Sequence, residues 1–220
     1  VLARSVGARV EVIDIGVDHD FSPSPTLYIR KVRYGTRNIR KGPAMSSREL
    51  DQALAVGLEM AVRAKGEGAD VAAAGDMGIG NTTASSAVIA ALAKKPAREV
   101  TGRGTGIDEK TWRRKVELIE TALEVNAPFL NRPEGALQAL GGFEIAGIAG
   151  FIIGCASEGL PVVIDGLVSS AAALAAGMMH PGKICVMGNG MVINLPTLLE
   201  EVELLKKFGM YIGKRLLISD

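Results

Sequence analysis

ADVAAAGDMGIGNTTASSAVIAALA, residues 69–93, carries the architecture of the chain in miniature. Ala69–Ala74 is a short apolar run of strand length, and residues 84–93 are an apolar, small-residue run suited to a helix. Between them Gly75, Gly78 and Gly80 let the backbone turn tightly and approach a ligand without Cβ interference. A strand that feeds through a glycine loop into a helix is the repeating unit of a parallel α/β sheet. The spacing matches neither the dinucleotide fingerprint nor the lysine-bearing phosphate loop.

The same unit recurs outward in both directions. Toward the C-terminus, Thr101–Gly106 is a glycine-rich connection, and Asp108–Glu124 carries alternating charge over an apolar stripe. LGGFEIAG then opens an almost uncharged helix that ends near Gly159. LPVVI (Leu160–Ile164) reads as a strand, and DGLVSSAAALAAG as a loop feeding a small-residue helix. Toward the N-terminus, ARVEVIDI (Ala8–Ile15) reads as a strand followed by the loop GVDHD, and Phe21–Pro43 as irregular and basic. Ser46 with Glu49 three residues on is a capping-box signal for a helix running toward Lys65. Repeated strand, loop and helix predict an α/β fold with a largely parallel sheet and helices on both faces. Ligands of such folds bind outside the C-terminal strand ends, where these glycine loops fall.

Composition narrows the classes. With 48% hydrophobic but only 4% aromatic residues, the core of these 220 residues must be built from small side chains, which suits α/β layers better than a sandwich. A formal charge of +1 gives no footprint for nucleic acid or a membrane surface. Cys155 and Cys185 lie in apolar surroundings without paired spacing, so both read as buried, reduced thiols, consistent with a cytoplasmic protein. Gly141–Ser157 comes nearest to a membrane span, but it is short and holds Glu144. The chain opens at Val1 within helix-like text and ends at Asp220 directly after an apolar strand, so both ends read as cut.

Several residues can carry chemistry. Gly78, Gly80, Asn81, Thr82 and Thr83 stand where the loop becomes a helix, and free amides there can hold a phosphate. The alternative is a tight turn capped by Asn81 or Thr82. Arg103 and Gly104 form a second anion-compatible turn. Asp108 is either the cap of the next helix or a substrate contact. Lys115 faces solvent by default and reaches an anion only if its helix lines the cleft. Glu144 either caps backbone amides or faces a polar cleft, and Asp165 is a strand-end acid or an Asx turn ordered by Gly166. His19 between Asp18 and Asp20 makes a poor metal cage, since His180 is remote and no zinc-type spacing exists.

Four separated segments, RYGTRNIRKGPAMS (33–46), GDMGIGNTT (75–83), GRGTGIDEKTWRRK (102–115) and LGGFEIAGIAG (140–150), together with PVVIDGLVSSAAALAA, resemble one family. They look like the nicotinate-nucleotide:dimethylbenzimidazole phosphoribosyltransferases over roughly residues 1–176. The resemblance implies a Rossmann-like enzyme, usually a homodimer, needing no cofactor. It would transfer 5-phosphoribosyl from nicotinate mononucleotide to 5,6-dimethylbenzimidazole, giving α-ribazole 5′-phosphate and nicotinate. On that resemblance Gly78, Gly80 and Asn81 hold the nucleotide phosphate, Arg103, Gly104 and Lys115 lie on the nucleotide side, and Asp165 is a cleft acid. Most members carry Glu where this chain has Asp76, a supporting carboxylate one methylene shorter. The family's base, a glutamate in a C-terminal glycine-rich segment, has no counterpart here, nor has its N-terminal helical region. A fragment lacking them is expected to bind a mononucleotide even without catalysis.

Residues 1–178 thus read as the transferase-like core and 179–220 as a strand-helix-strand tail. From Gly182 the tail resembles a stretch of adenylosuccinate synthetase, with GNG at Gly188–Gly190, LLEEVELL and RLLISD. A composite chain accounts for this more simply than a bifunctional enzyme does.

Overall fold

In a computed structural model of the chain, residues 2–104, 106–182, 185–187, 195–207 and 216–218 are described. They divide into two compact units, Val1–Met179 and His180–Asp220. The first unit opens with α1 (Leu2–Ser5), β1 (Val12–Asp14), β2 (Leu27–Ile29), α2 (Ser47–Gly66), β3 (Ala72–Ala74) and α3 (Asn81–Ala93). It continues through α4 (Ala97–Val100), α5 (Glu109–Val125), α6 (Pro133–Leu140), α7 (Phe143–Ser157), β4 (Val162–Ile164) and α8 (Gly166–Met179).

Local signals place the helix starts. Ser46 Oγ accepts from the Glu49 amide at 3.2 Å while Glu49 returns a carboxylate oxygen to the Ser46 amide at 2.7 Å, closing the box that starts α2. Asp108 accepts from the Thr111 amide at 2.7 Å and caps α5, the plainer of its two readings.

The core is made by helices at close quarters. A Cβ on Gly57 of α2 would lie 2.0 Å from the Gly147 carbonyl oxygen and 2.3 Å from the Phe151 nitrogen of α7. One on Gly150 would lie 2.1 Å from the Leu54 carbonyl oxygen, and one on Gly154 2.7 Å from Ala61 Cβ. These glycines bring the α2 and α7 backbones together, which lets a core poor in aromatics pack closely. Phe143, Leu137, Leu140 and Ile119 fill the wider spaces.

The strands pair in parallel, β1 with β2 and β3 with β4, but as separate two-stranded sheets. This corrects the expectation of one sheet covered on both faces. Val12, Ile29, Val163 and Ile164 are 51%, 41%, 52% and 37% exposed, so large apolar strand side chains meet solvent. Two-stranded sheets of three-residue strands offer too little surface for two helical layers. The strand expected over Ala8–Ile15 is confined to Val12–Asp14, and the basic stretch expected to be irregular contains β2. In the β3–β4 register Ala74 stands opposite Ile164, so the loop after β3 and Asp165 leave the same edge side by side.

In the second unit, β5 (Cys185–Met187) pairs in parallel with β6 (Leu216–Ile218), with α9 (Leu195–Lys207) between them in sequence. Gly188–Gly190 and the Cys185 side chain lie outside the described residues. Cys155 is a buried free thiol, and burial pushes its pKa up to about 11. Among the described residues no helix is long and apolar enough to cross a membrane, and no acid, histidine or cysteine group is arranged to hold a metal ion.

Candidate functional site

The edge where β3 ends is the centre of the candidate site. Gly80 holds φ +82°, a left-handed conformation open to glycine at little cost, and from it α3 begins directly at Asn81. No side chain caps α3. Asn81 Nδ2 instead donates to Asp76, folding the loop around Gly78, where a Cβ would lie 3.2 Å from an Asp76 carboxylate oxygen. The capped-turn alternative for Asn81 and Thr82 is therefore not what forms, and the positive N-terminal end of α3 carries no side-chain cap.

Thr82 turns to a different partner. Lys115 Nζ of α5 donates to Thr82 Oγ1 at 2.9 Å, and a Cβ on Gly104 would lie 4.0 Å from that same oxygen. Three segments separated in sequence thus meet at one point. Lys115 is half-buried, and burial pushes its ammonium below the usual lysine value. Its default solvent-facing reading is corrected, because α5 does line this edge. A partly desolvated cation beside a helix N-terminus favours a bound anion.

Arg103 goes elsewhere. Its guanidinium is held by Glu109, donates to the Ile107 carbonyl oxygen at 3.3 Å and lies over the Trp112 ring at 5.7 Å. It is exposed beside the Thr82–Lys115 pair rather than joined to it.

Two carboxylates border the loop. Glu144 stands in the first turn of α7 and curls back so far that a Cβ on Gly142 would lie 2.1 Å from its Oε1. Burial raises its pKa above the ordinary glutamate value, and the charge of Asp76 adds to the rise, while a bond to its own amide opposes it. Glu144 therefore meets its own backbone amide and feels the charge of Asp76 at once. Asp165 is exposed, and its backbone is secured by Ser169, whose Oγ accepts from the Asp165 amide at 3.1 Å and donates to its carbonyl. Gly166 beside it holds φ +85°, and no hydrogen bond occupies the Asp165 carboxylate among the described residues.

Sequence reasoning passed over Asp14 at the end of β1. It is 2% exposed, accepts from the Gly16 and Val17 amides at 3.1 and 2.9 Å, and pairs with Lys31 Nζ at 2.7 Å. Lys31 also donates to the carbonyl oxygens of Val17 and His19. The signal was available, an acid at a strand end followed by Gly16. A Cβ on that glycine would lie 2.6 Å from the ring of Phe143, which precedes Glu144.

Known proteins share this arrangement of segments. A family model described as phosphoribosyltransferase matches residues 1–191, past the boundary expected at 178, and the comparisons give the adenylosuccinate synthetase likeness of the tail no support. The nicotinate-nucleotide–dimethylbenzimidazole phosphoribosyltransferase of Geobacter sulfurreducens is 52% identical over 82% of this chain and 51% of its own length. That of Chlorobaculum tepidum is 51% identical over 80% of this chain and 50% of its own length. The crystal structure of CobT from Thermus thermophilus superposes with a TM-score of 0.78 at 44% identity, over 82% of this chain and 54% of the other. The chain spans about half the length of the curated relatives it matches. With the match spanning residues 1–191 of 220, the chain belongs to the phosphoribosyltransferase family that includes these nicotinate-nucleotide–dimethylbenzimidazole enzymes.

Proposed function

We propose that the chain carries the nicotinate-mononucleotide side of a transferase that moves 5-phosphoribosyl to 5,6-dimethylbenzimidazole. The convergence of Lys115, Thr82 and Gly104 at the start of α3 is the observation that carries this reading. A phosphate settled there, against Gly78, Gly80 and the amides of Asn81 and Thr82, anchors the nucleotide far from its reacting carbon. That remote binding energy aligns C1′ with the incoming base.

Nicotinate then leaves C1′ as positive charge develops on the ribose, and the benzimidazole nitrogen forms the new bond from the opposite face. Asp76, Glu144 and Asp165 place negative charge along the edge where that cation develops. The attacking benzimidazole gives up its N–H proton to a carboxylate base, which the family resemblance assigns to a C-terminal glutamate. Arg103 belongs to the nucleotide side on the same resemblance. Released from Glu109, it would add a planar donor to the anion. Domain limits near 178, a homodimer and a cytoplasmic setting follow the same resemblance, and light scattering reads the homodimer directly.

Purified chain should bind nicotinate mononucleotide by calorimetry, and chromatography for α-ribazole 5′-phosphate after addition of dimethylbenzimidazole separates transfer from binding. Calorimetric binding of the mononucleotide without product would reduce the role to binding alone. No binding would remove the phosphate placement itself. Consumption of IMP and aspartate with GTP, the outcome expected of the synthetase-like reading of the tail, should be absent.

A further inference from the structure

The turn that brings Gly104 to Thr82 is gripped from below by a residue with no place in the reaction so far. Trp112, the chain's only tryptophan, donates its indole N–H to the Thr101 carbonyl oxygen at 2.7 Å. Thr101 is 6% exposed and its own hydroxyl donates to the Ala97 carbonyl at 2.6 Å, so the residue before the turn is fixed twice. Ser86 of α3 donates to the neighbouring Val100 carbonyl at 3.0 Å, tying the same segment to the helix that carries Thr82.

Two guanidinium groups lie on the indole ring, Arg98 at 5.3 Å from before the turn and Arg103 at 5.7 Å from within it. Each gains from the ring's negative face. Beyond the ring the turn closes on itself, with the Gly106 and Ile107 amides donating to the Arg103 carbonyl at 3.1 and 3.2 Å. Trp112 and Lys115 are three residues apart on α5 and so share a face. One helix face therefore holds both ends of the arrangement, the root of the turn through Trp112 and the tip of α3 through Lys115.

We propose that Trp112 is a positioning residue for the anion end of the site, fixing the Gly102–Gly106 turn so that Gly104 faces Thr82 and Lys115. The inference rests on the mononucleotide reading above. It goes further in assigning to an indole N–H and two stacked arginines the alignment of a turn that touches the ligand's phosphate. Trp112 touches no reacting atom, so its loss weakens nucleotide binding through Gly104 and Arg103.

The test uses the full chain and two probes, nicotinate mononucleotide and inorganic phosphate. Trp112→Phe keeps one aromatic ring for the arginines and removes the N–H donor together with the indole's second ring. It should raise the Kd for the mononucleotide about five- to tenfold, the scale of one hydrogen bond lost at a buried carbonyl. Emission of the wild-type protein comes from this one indole and should change saturably with mononucleotide, at the Kd found by calorimetry, and more weakly with phosphate. An unaltered Kd in Trp112→Phe overturns the proposal while leaving the mononucleotide reading intact. Absence of binding by the wild-type chain overturns both. Should Trp112→Phe fail to fold, the wild-type titration decides alone, and emission that stays flat while calorimetry shows binding overturns the proposal.

Discussion

Gly57→Ala adds one methyl group at the close α2–α7 contact, and its cost follows from the distances. The new Cβ would stand 2.0 Å from the Gly147 carbonyl oxygen and 2.3 Å from the Phe151 nitrogen, where ordinary contact begins at 3.4 Å. Both obstacles are backbone, so no side chain can swing away, and α2 and α7 must part by more than an ångström. Overpacking of this kind costs about 3 kcal/mol, and the better helix propensity of alanine returns about 1 kcal/mol. The net loss is then about 2 kcal/mol, a fall of about 1 M in urea midpoint for a slope near 2 kcal/mol per molar. Gly66→Ala is the internal control. It lies in the same helix with nothing within 4 Å of its Cβ, so propensity acts alone and the midpoint should rise slightly. Far-UV circular dichroism during urea titration reads both. The consequence also reaches the site, because α7 carries Glu144 in its first turn. Equal midpoints for Gly57→Ala and Gly66→Ala would refute the view that backbone proximity between α2 and α7 sets this core.

Gly80→Val places a β-branched residue at φ +82° and should weaken mononucleotide binding at least tenfold by calorimetry, whereas Lys110→Ala changes it less than twofold. Equal losses would displace the phosphate from the α3 terminus. Gly142→Ala keeps an extended backbone that alanine tolerates but pushes the flexible end of Glu144 outward, so mononucleotide binding by calorimetry should weaken several-fold at an unchanged melting temperature. The Arg37 guanidinium beside Glu49 holds that carboxyl down at about 2, so the pair stabilises the fold above pH 4.5 and the gain is lost as pH falls toward 2. Arg37 is half-exposed, which reduces the linkage to about 1–2 kcal/mol, and Glu49→Gln should flatten the stability profile across that window. Glu144 has the opposite sign, since its raised pKa means stability falls as pH rises past 4.5, and Glu144→Gln should remove that fall in thermal melts.

What the sequence disclosed was what is decided locally. A capping box needs only Ser46 and Glu49, and a helix cap only Asp108 and Thr111, so both were readable from spacing. The order of strand, glycine loop and helix around residues 69–93 is equally local. β2 was not readable, because three residues shortly after Pro25 become a strand only through their partner, β1. α6 was passed over for the same reason. Its eight residues are fixed by burial of Leu137 and Leu140 and by the Ala44 and Met45 amides, which donate to its carbonyls. Lys115 depended on Thr82, 33 residues earlier in the chain, and Arg103 on Glu109 and Trp112, which hold its guanidinium from the following helix.

The glycines show why motif spacing underdetermines a site. Gly80 is required by its own torsion, since a Cβ there would meet nothing within 4 Å. Gly57 has ordinary helical torsions and is required by a neighbour's backbone, whereas Gly142 leaves room for one carboxylate to fold back. These are three physical demands on one residue type, and only the first is a property of the loop in which the glycine sits. A sequence pattern records that glycine is present at each place. The partner that makes it necessary lies far along the chain, and Gly57 answers to Gly147 as Lys115 answers to Thr82. The proposed phosphate side is therefore a property of α3, α5 and the 102–106 turn held together, so disturbing their contacts should weaken it even with every motif residue retained.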